Sequence, residues 1–177
     1  MKSQLNLGCG YDIRPAWVNL DVAALPGVDV VHDLDVLPYP FQDEKFDIVL
    51  ARHVLEHVND LIATMREIHR ILRPGGMLQA IVPHFTSKDA FSDPTHRRTF
   101  SVNSFAYFVG ASHRAYYFDF GFSKLAARSI VFQKRIAYPW NYLLERFVNS
   151  SHRLQNLYEG SPLRMFPAYE LEVRLIK

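Results

Sequence analysis

The chain has 177 residues, 49% of them hydrophobic, a formal net charge of +2 and one cysteine. That length supports one domain with a sizeable core, the weak charge argues against a nucleic-acid partner, and a lone cysteine excludes an intrachain disulfide. The first apolar run breaks at Gly8 and no later one reaches membrane-spanning length, so a cytoplasmic protein with no signal peptide and no membrane span is expected.

In chain order, Leu5 to Leu7 is a short buried strand, Trp17 to Asp21 a second, and Val28 to Val31 a third after Pro26-Gly27. Phe46 to Ala51 is apolar after Asp47, as a central parallel strand tends to be. Leu61, Met65, Ile68 and Leu72 recur at helical spacing. Asn59 or Asp60 can cap that helix, and Pro74-Gly75-Gly76 ends it. Met77 to Val82 is a fifth strand, halted by Pro83. Strands alternating with helices predict a parallel sheet covered on both faces.

The second half is less regular. Residues 84–98 are polar and strand-free, and short helices are predicted at Ser101 to Val109 and Ser123 to Ala127. A strand follows near Ile130 to Gln133, and a helix at Trp140 to Val148, whose apolar residues are expected to pack in the core. The alternation from Tyr169 to Ile176 predicts a final strand with one face less buried, as in an antiparallel addition. The aromatic run from Phe100 to Phe122 is expected to pack a small cap onto the sheet. The chain therefore divides as one domain, 1–177, with a substrate-cap insertion around 84–122 and a second insertion around 138–168.

Two glycines one residue apart, Gly8 and Gly10, follow the first strand, and Asp21 ends the next. Glycines there let a ligand approach the backbone, and a carboxylate at a strand tip suits ribose hydroxyls. A dinucleotide fingerprint fits poorly, because Ile13 stands at the third glycine position and Asp21 comes far too early. A glycine turn with no ligand at all is the plain alternative. A rival motif, His53-Val54-Leu55-Glu56-His57, matches the inverted zinc-protease pattern H-x-x-E-H. It follows a central strand, and no glutamate on a long downstream helix completes it, so no metal ligands are assigned.

Four segments in order carry a resemblance: Leu5-Asn6-Leu7-Gly8-Cys9-Gly10; Asn19-Leu20-Asp21; Asp33-Leu34 through Leu37-Pro38-Tyr39-Pro40-Phe41 into Phe46-Asp47-Ile48-Val49; and Glu67-Ile68-His69-Arg70-Ile71-Leu72-Arg73-Pro74-Gly75-Gly76. Over residues 4–83 the chain resembles class I S-adenosylmethionine-dependent methyltransferases of the type 11 kind. The resemblance implies an α/β, Rossmann-like, mostly parallel seven-stranded sheet with an antiparallel last strand. It implies S-adenosyl-L-methionine as cofactor and a transferase acting on an O, N or C acceptor, a small molecule or a glycan or other cell-surface precursor. The alternative is a non-catalytic binding or scaffold protein of the same fold.

It also implies roles. Gly8 and Gly10 would approach the methionine part and ribose, with Cys9 between them as a small space-filler. Asp21 would bind ribose, Asp33 and Leu34 would flank adenine, and Arg52 and His53 would line the sulfonium side. Asn6 stands where many relatives carry an acid and Asp12 where they carry a glycine, so Asn6 would offer hydrogen bonds without charge. Residues 10–18 are too few for a full first crossover helix, which predicts a short loop with Trp17 beneath it. Past the fifth strand, where the acceptor site is expected, His84 and His96 are candidate bases. Asp93, Arg97 and Arg98 are candidate substrate-binding groups, the arginines through paired hydrogen bonds to an anion.

Overall fold

Short apolar runs assemble into one sheet in the computed structural model, which describes residues 2–110, 115–134 and 138–177. The strands are β1 (Gln4–Leu7), β2 (Val18–Asp21), β3 (Val30–Val31), β4 (Phe46–Arg52), β5 (Leu72–Pro83), β6 (Lys124–Val131) and β7 (Glu170–Ile176). Their spatial order is β3-β2-β1-β4-β5-β7-β6. β1 through β5 pair in parallel, and β7 runs antiparallel to both β5 and β6. The expected α/β class and antiparallel last strand are both present. The order reverses between β1 and β4, the switch point where such sheets open a crevice at their carboxyl ends.

Four helices accompany the sheet among the described residues: α1 (Leu61–Ile71), α2 (Asp89–Ser92), α3 (Asn141–Val148) and α4 (His152–Gly160). Asp60 caps α1, its Oδ1 accepting the amides of Ile62 and Ala63 at 2.9 and 3.0 Å. α1 buries Met65, Ile68 and Ile71 completely, each contributing about 1.5–3 kcal/mol of apolar burial. No helix is long and apolar enough to cross a membrane, the described residues having been considered.

The expectation of alternating helices fails in the first half. The connections β1–β2, β2–β3 and β3–β4 contain no helix. Ser123 to Ala127, predicted as helix, is instead the start of β6, because Lys124 and Leu125 pair with Ile176 and Leu175 of β7 and tertiary pairing overrides local propensity. Ser101 to Val109 condenses to one 3₁₀ segment, Ser104–Phe108. α4, not foreseen, starts at Ser151, whose hydroxyl caps the amide of Leu154. Phe100, Phe105, Phe108 and Phe122 are buried as expected, with Phe100 and Phe105 stacked at 5.3 Å. The apolar residues of the Trp140 segment are a partial correction: Trp140, Tyr142, Leu143 and Phe147 are half or more exposed, whereas Val148 is in the core and Leu144 packs against it.

One ion pair fastens the long β3–β4 connection. The buried Glu67 of α1 accepts Arg70 Nε and Nη2 at 2.9 and 2.7 Å and the Tyr39 amide at 2.8 Å. Arg70 also donates to the carbonyls of Phe41 and Tyr39. Burial raises the Glu67 carboxyl, but these donors outweigh it and hold it below its ordinary 4.5. Glu67→Ala should lower unfolding free energy by about 2–3 kcal/mol in denaturant titration, whereas Asp119→Ala, removing the exposed Arg66 pair, should leave the midpoint unmoved. A depressed folded-state value means the Glu67 contribution is present at neutral pH and fades as pH falls below 4.5.

Candidate functional site

The turn after β1 is shaped by backbone that only glycine adopts easily. Gly8 has φ +64° and lies so close to Val54 that an added Cβ would collide with its side chain. Gly10 has φ +50° with open space where a Cβ would stand. Its amide donates to Asp21 Oδ2 at 2.7 Å, and Ala23 donates to Oδ1 at 3.0 Å. Asp21 is thus fixed beside the glycine turn with lone pairs to spare.

Beneath the turn, Asn6 is buried and donates to the Asp12 carbonyl at 2.6 Å and to Asn19 Oδ1 at 3.4 Å. Asn19 receives Arg14 N–H and donates to the carbonyls of Arg14 and Trp17. Arg14 lies 5.2 Å over the Trp17 ring. This network pins the short loop where a crossover helix would stand. It also corrects Asn6 as a cofactor contact, since its amide is spent on the loop. Cys9 is buried as well, its thiol pushed up by burial and by Asp21, consistent with a space-filler rather than a contact.

Two cavities open above the switch point. The first, about 240 Å³, is lined by Gly8, Asp21, Asp33, Leu34, His53 and Val54 among others. It gathers five of the cofactor residues named from sequence, whereas Arg52 is exposed and outside it. The second, about 560 Å³, is lined by His53, Glu56, His57, Asp93, His96 and Glu170 among others. His53 and His57 border both. A third cavity of about 500 Å³ shares Asp89 and Tyr169 with the second and has Phe91, Tyr138, Trp140 and Phe166 in its walls.

His53 occupies strained left-handed backbone, φ +52°. Its Nε2 meets Glu170 Oε1 at 3.0 Å and its Nδ1 approaches Glu56 Oε1 at 3.4 Å. The hydrogen bond to Glu170, then the charge contact with Glu56, outweighs burial and pushes its pKa up to about 9. At neutral pH an imidazolium therefore sits between two carboxylates where the cavities join. Glu170 and Glu56 were not singled out as site residues from sequence. The alternation of β7 carries the only signal for Glu170, an acid at an inward position.

His84 is a second correction. It is fully buried, with Nε2 bound to Glu159 at 2.9 Å and Nδ1 to Thr86 Oγ1 at 2.8 Å. It lines neither the first nor the second cavity, so it cannot serve as base there. Arg97 and Arg98 are corrected too. Arg97 donates to the His57 carbonyl, and Arg98 to those of Leu55 and Asn59, at 3.1, 2.8 and 3.0 Å. They brace the turn after β4 and line neither the first nor the second cavity. Asp93 and His96 do face the second cavity. His84→Ala should cost about 2–4 kcal/mol of stability by calorimetry or denaturant titration, with ligand affinity at the first cavity unchanged.

Residues 4–80 match the family model described as a methyltransferase domain. The demethylmenaquinone methyltransferase of Staphylococcus epidermidis is 39% identical over 56 residues, 32% of this chain and 23% of that protein. That of Chlorobaculum parvum is 32% identical over 74 residues, 42% of this chain and 30% of that protein. The chain thus spans less than a third of these curated relatives. Among solved structures, an S-adenosylmethionine-dependent methyltransferase from Archaeoglobus fulgidus aligns with TM-score 0.62 and 15% identity, covering 98% of this chain and 85% of that one. One from Mesorhizobium loti gives 0.58 and 17%, covering 98% and 90%. Residues 4–80 thus match a methyltransferase-domain model, and the chain as a whole shares its fold with S-adenosylmethionine-dependent methyltransferases of known structure.

Proposed function

We propose that this protein transfers a methyl group from S-adenosylmethionine to a small molecule that joins a polar acceptor atom to an apolar body. The observation that carries the reading is the meeting of two cavities at His53 and His57, one bearing the nucleoside-type residues and the other open for an acceptor.

The residues present fit the cofactor. Gly8 offers bare backbone to the first cavity, Asp21 stands with both oxygens oriented by the amides of Gly10 and Ala23, and Leu34 and Val58 supply apolar wall. Asp21 would accept the ribose hydroxyls and Asp33 would lie at the adenine edge. Bound there, S-adenosylmethionine supplies a methyl group already activated by its sulfonium. Glu56 and Glu170 flank His53 where the two cavities meet. The chain's main task is then alignment, which alone can lower a barrier by several kcal/mol.

On the acceptor side, Asp93, His57 and His96 surround the second cavity and would hold the reacting group. The adjoining aromatic walls, Phe91, Tyr138, Trp140 and Phe166, suit an aliphatic or ring-bearing body better than a polyhydroxylated glycan.

Asp21→Asn keeps an acceptor for the Gly10 amide but removes the charge. Isothermal titration with S-adenosylmethionine should show saturable binding to the wild type, weakened about tenfold to a hundredfold in the variant. Equal affinity in a variant that keeps its circular dichroism spectrum would remove Asp21 from the cofactor site.

A further inference from the structure

We infer that Glu56, His57 and His96 form a binding site for a divalent transition-metal ion, zinc being the best match, at the floor of the acceptor cavity. One potential ligand atom from each of the three lies within 4.8 Å of the others. Glu56 is 1% exposed, and neither carboxylate oxygen has a hydrogen-bond partner among the described residues. Its one ion-pair contact is the 3.4 Å approach of His53 to Oε1. A buried carboxylate left this way is costly unless a cation or donor completes it.

Both imidazoles are already set in the ligand tautomer. Thr95 Oγ1 donates its hydrogen to Asp93 Oδ1 at 2.6 Å, so at 2.8 Å it accepts from His57 Nδ1–H. The Ala90 carbonyl can only accept, so His96 Nδ1 carries its hydrogen at 3.2 Å. In the neutral form each ring turns Nε2 toward the site, that of His96 lying 4.0 Å from Asp93 Oδ2, and each is oriented through Nδ1 by a second partner as metal-bound histidines usually are. The pairing differs from the one the H-x-x-E-H motif suggests. His53 is held by Glu170, and residues 53–58 form a turn, not a helix. An ion at about 2.0–2.2 Å from each ligand would draw the three together to roughly 3.5 Å spacing, within reach of side-chain rotation.

Two imidazoles and a carboxylate leave a fourth position of a tetrahedral zinc open, here toward the cavity. If that cavity takes the acceptor, as proposed above, the class implied is an oxygen donor such as a hydroxyl or enol, which would release its proton to water more readily when coordinated.

The test is zinc titration of the chelator-stripped full chain, by calorimetry and with cobalt as a visible-spectrum probe, in the wild type, Glu56→Gln, His96→Ala and the remote control His152→Ala. One zinc per chain is expected, with tetrahedral cobalt bands and with affinity reduced at least about tenfold in Glu56→Gln and His96→Ala but not in His152→Ala. Absence of saturable binding to folded wild-type protein, or equal binding by His96→Ala, would overturn the site. S-adenosylmethionine affinity measured on the same metal-free protein separates the two readings: retained cofactor binding without zinc binding sinks only the metal site, and the converse sinks only the cofactor reading.

Discussion

Three successive parallel connections without a helix leave many backbone amides and carbonyls that no helical ladder can satisfy, and buried backbone groups must be paired. Side chains take over that duty. Asn6 and Asn19 hold the first loop, Asp29 accepts the Asn19 amide at 2.8 Å, and Asp35 anchors Asn59 through its amide and side chain at 2.7 and 2.6 Å. Glu67 and Arg70 hold the third connection, and Tyr39 passes that constraint on by donating to the Leu34 carbonyl at 3.2 Å. Leu34 lines the first cavity, so an ion pair on α1 fixes the position of a cavity wall. The residues that replace crossover helices are thus the ones that shape the site.

The same economy explains which parts of the molecule were legible in the sequence. β1, β4, β5 and α1 were readable because continuous apolar runs and a three-four spacing report directly on burial. The first glycine turn and Asp21 were readable because φ > 0 and a strand-tip carboxylate have few other uses. β6 was misread, since Ser-Lys-Leu-Ala-Ala is locally helix-tolerant and only its pairing with β7 makes it a strand. His84, Arg97 and Arg98 sat in the right region but were misassigned. Sequence shows a polar side chain's chemistry, not whether backbone carbonyls or a buried glutamate have already claimed it.

At the junction of the cavities, charge and strain coincide. A left-handed His53 is compatible with the fold because its amide still reaches the Ile81 carbonyl at 2.8 Å while its ring bridges Glu56 and Glu170. The backbone distortion places one imidazolium against both cavities, and the arginines at 97 and 98 hold the following turn rigid from the other side. Both cavities therefore share walls from one connected piece of chain, residues 53–58.

The position of β7 carries its own implication. It lies inside the sheet, between β5 and β6, although it follows both in sequence. Strands therefore cannot be added in chain order: β6, at the sheet edge, joins only with or after β7, a non-local closure of the kind that slows folding. Glu170 sits on that strand and lines the second cavity. Even with β1, β2, β4 and β5 in place, the second cavity lacks its Glu170 wall until β7 is paired.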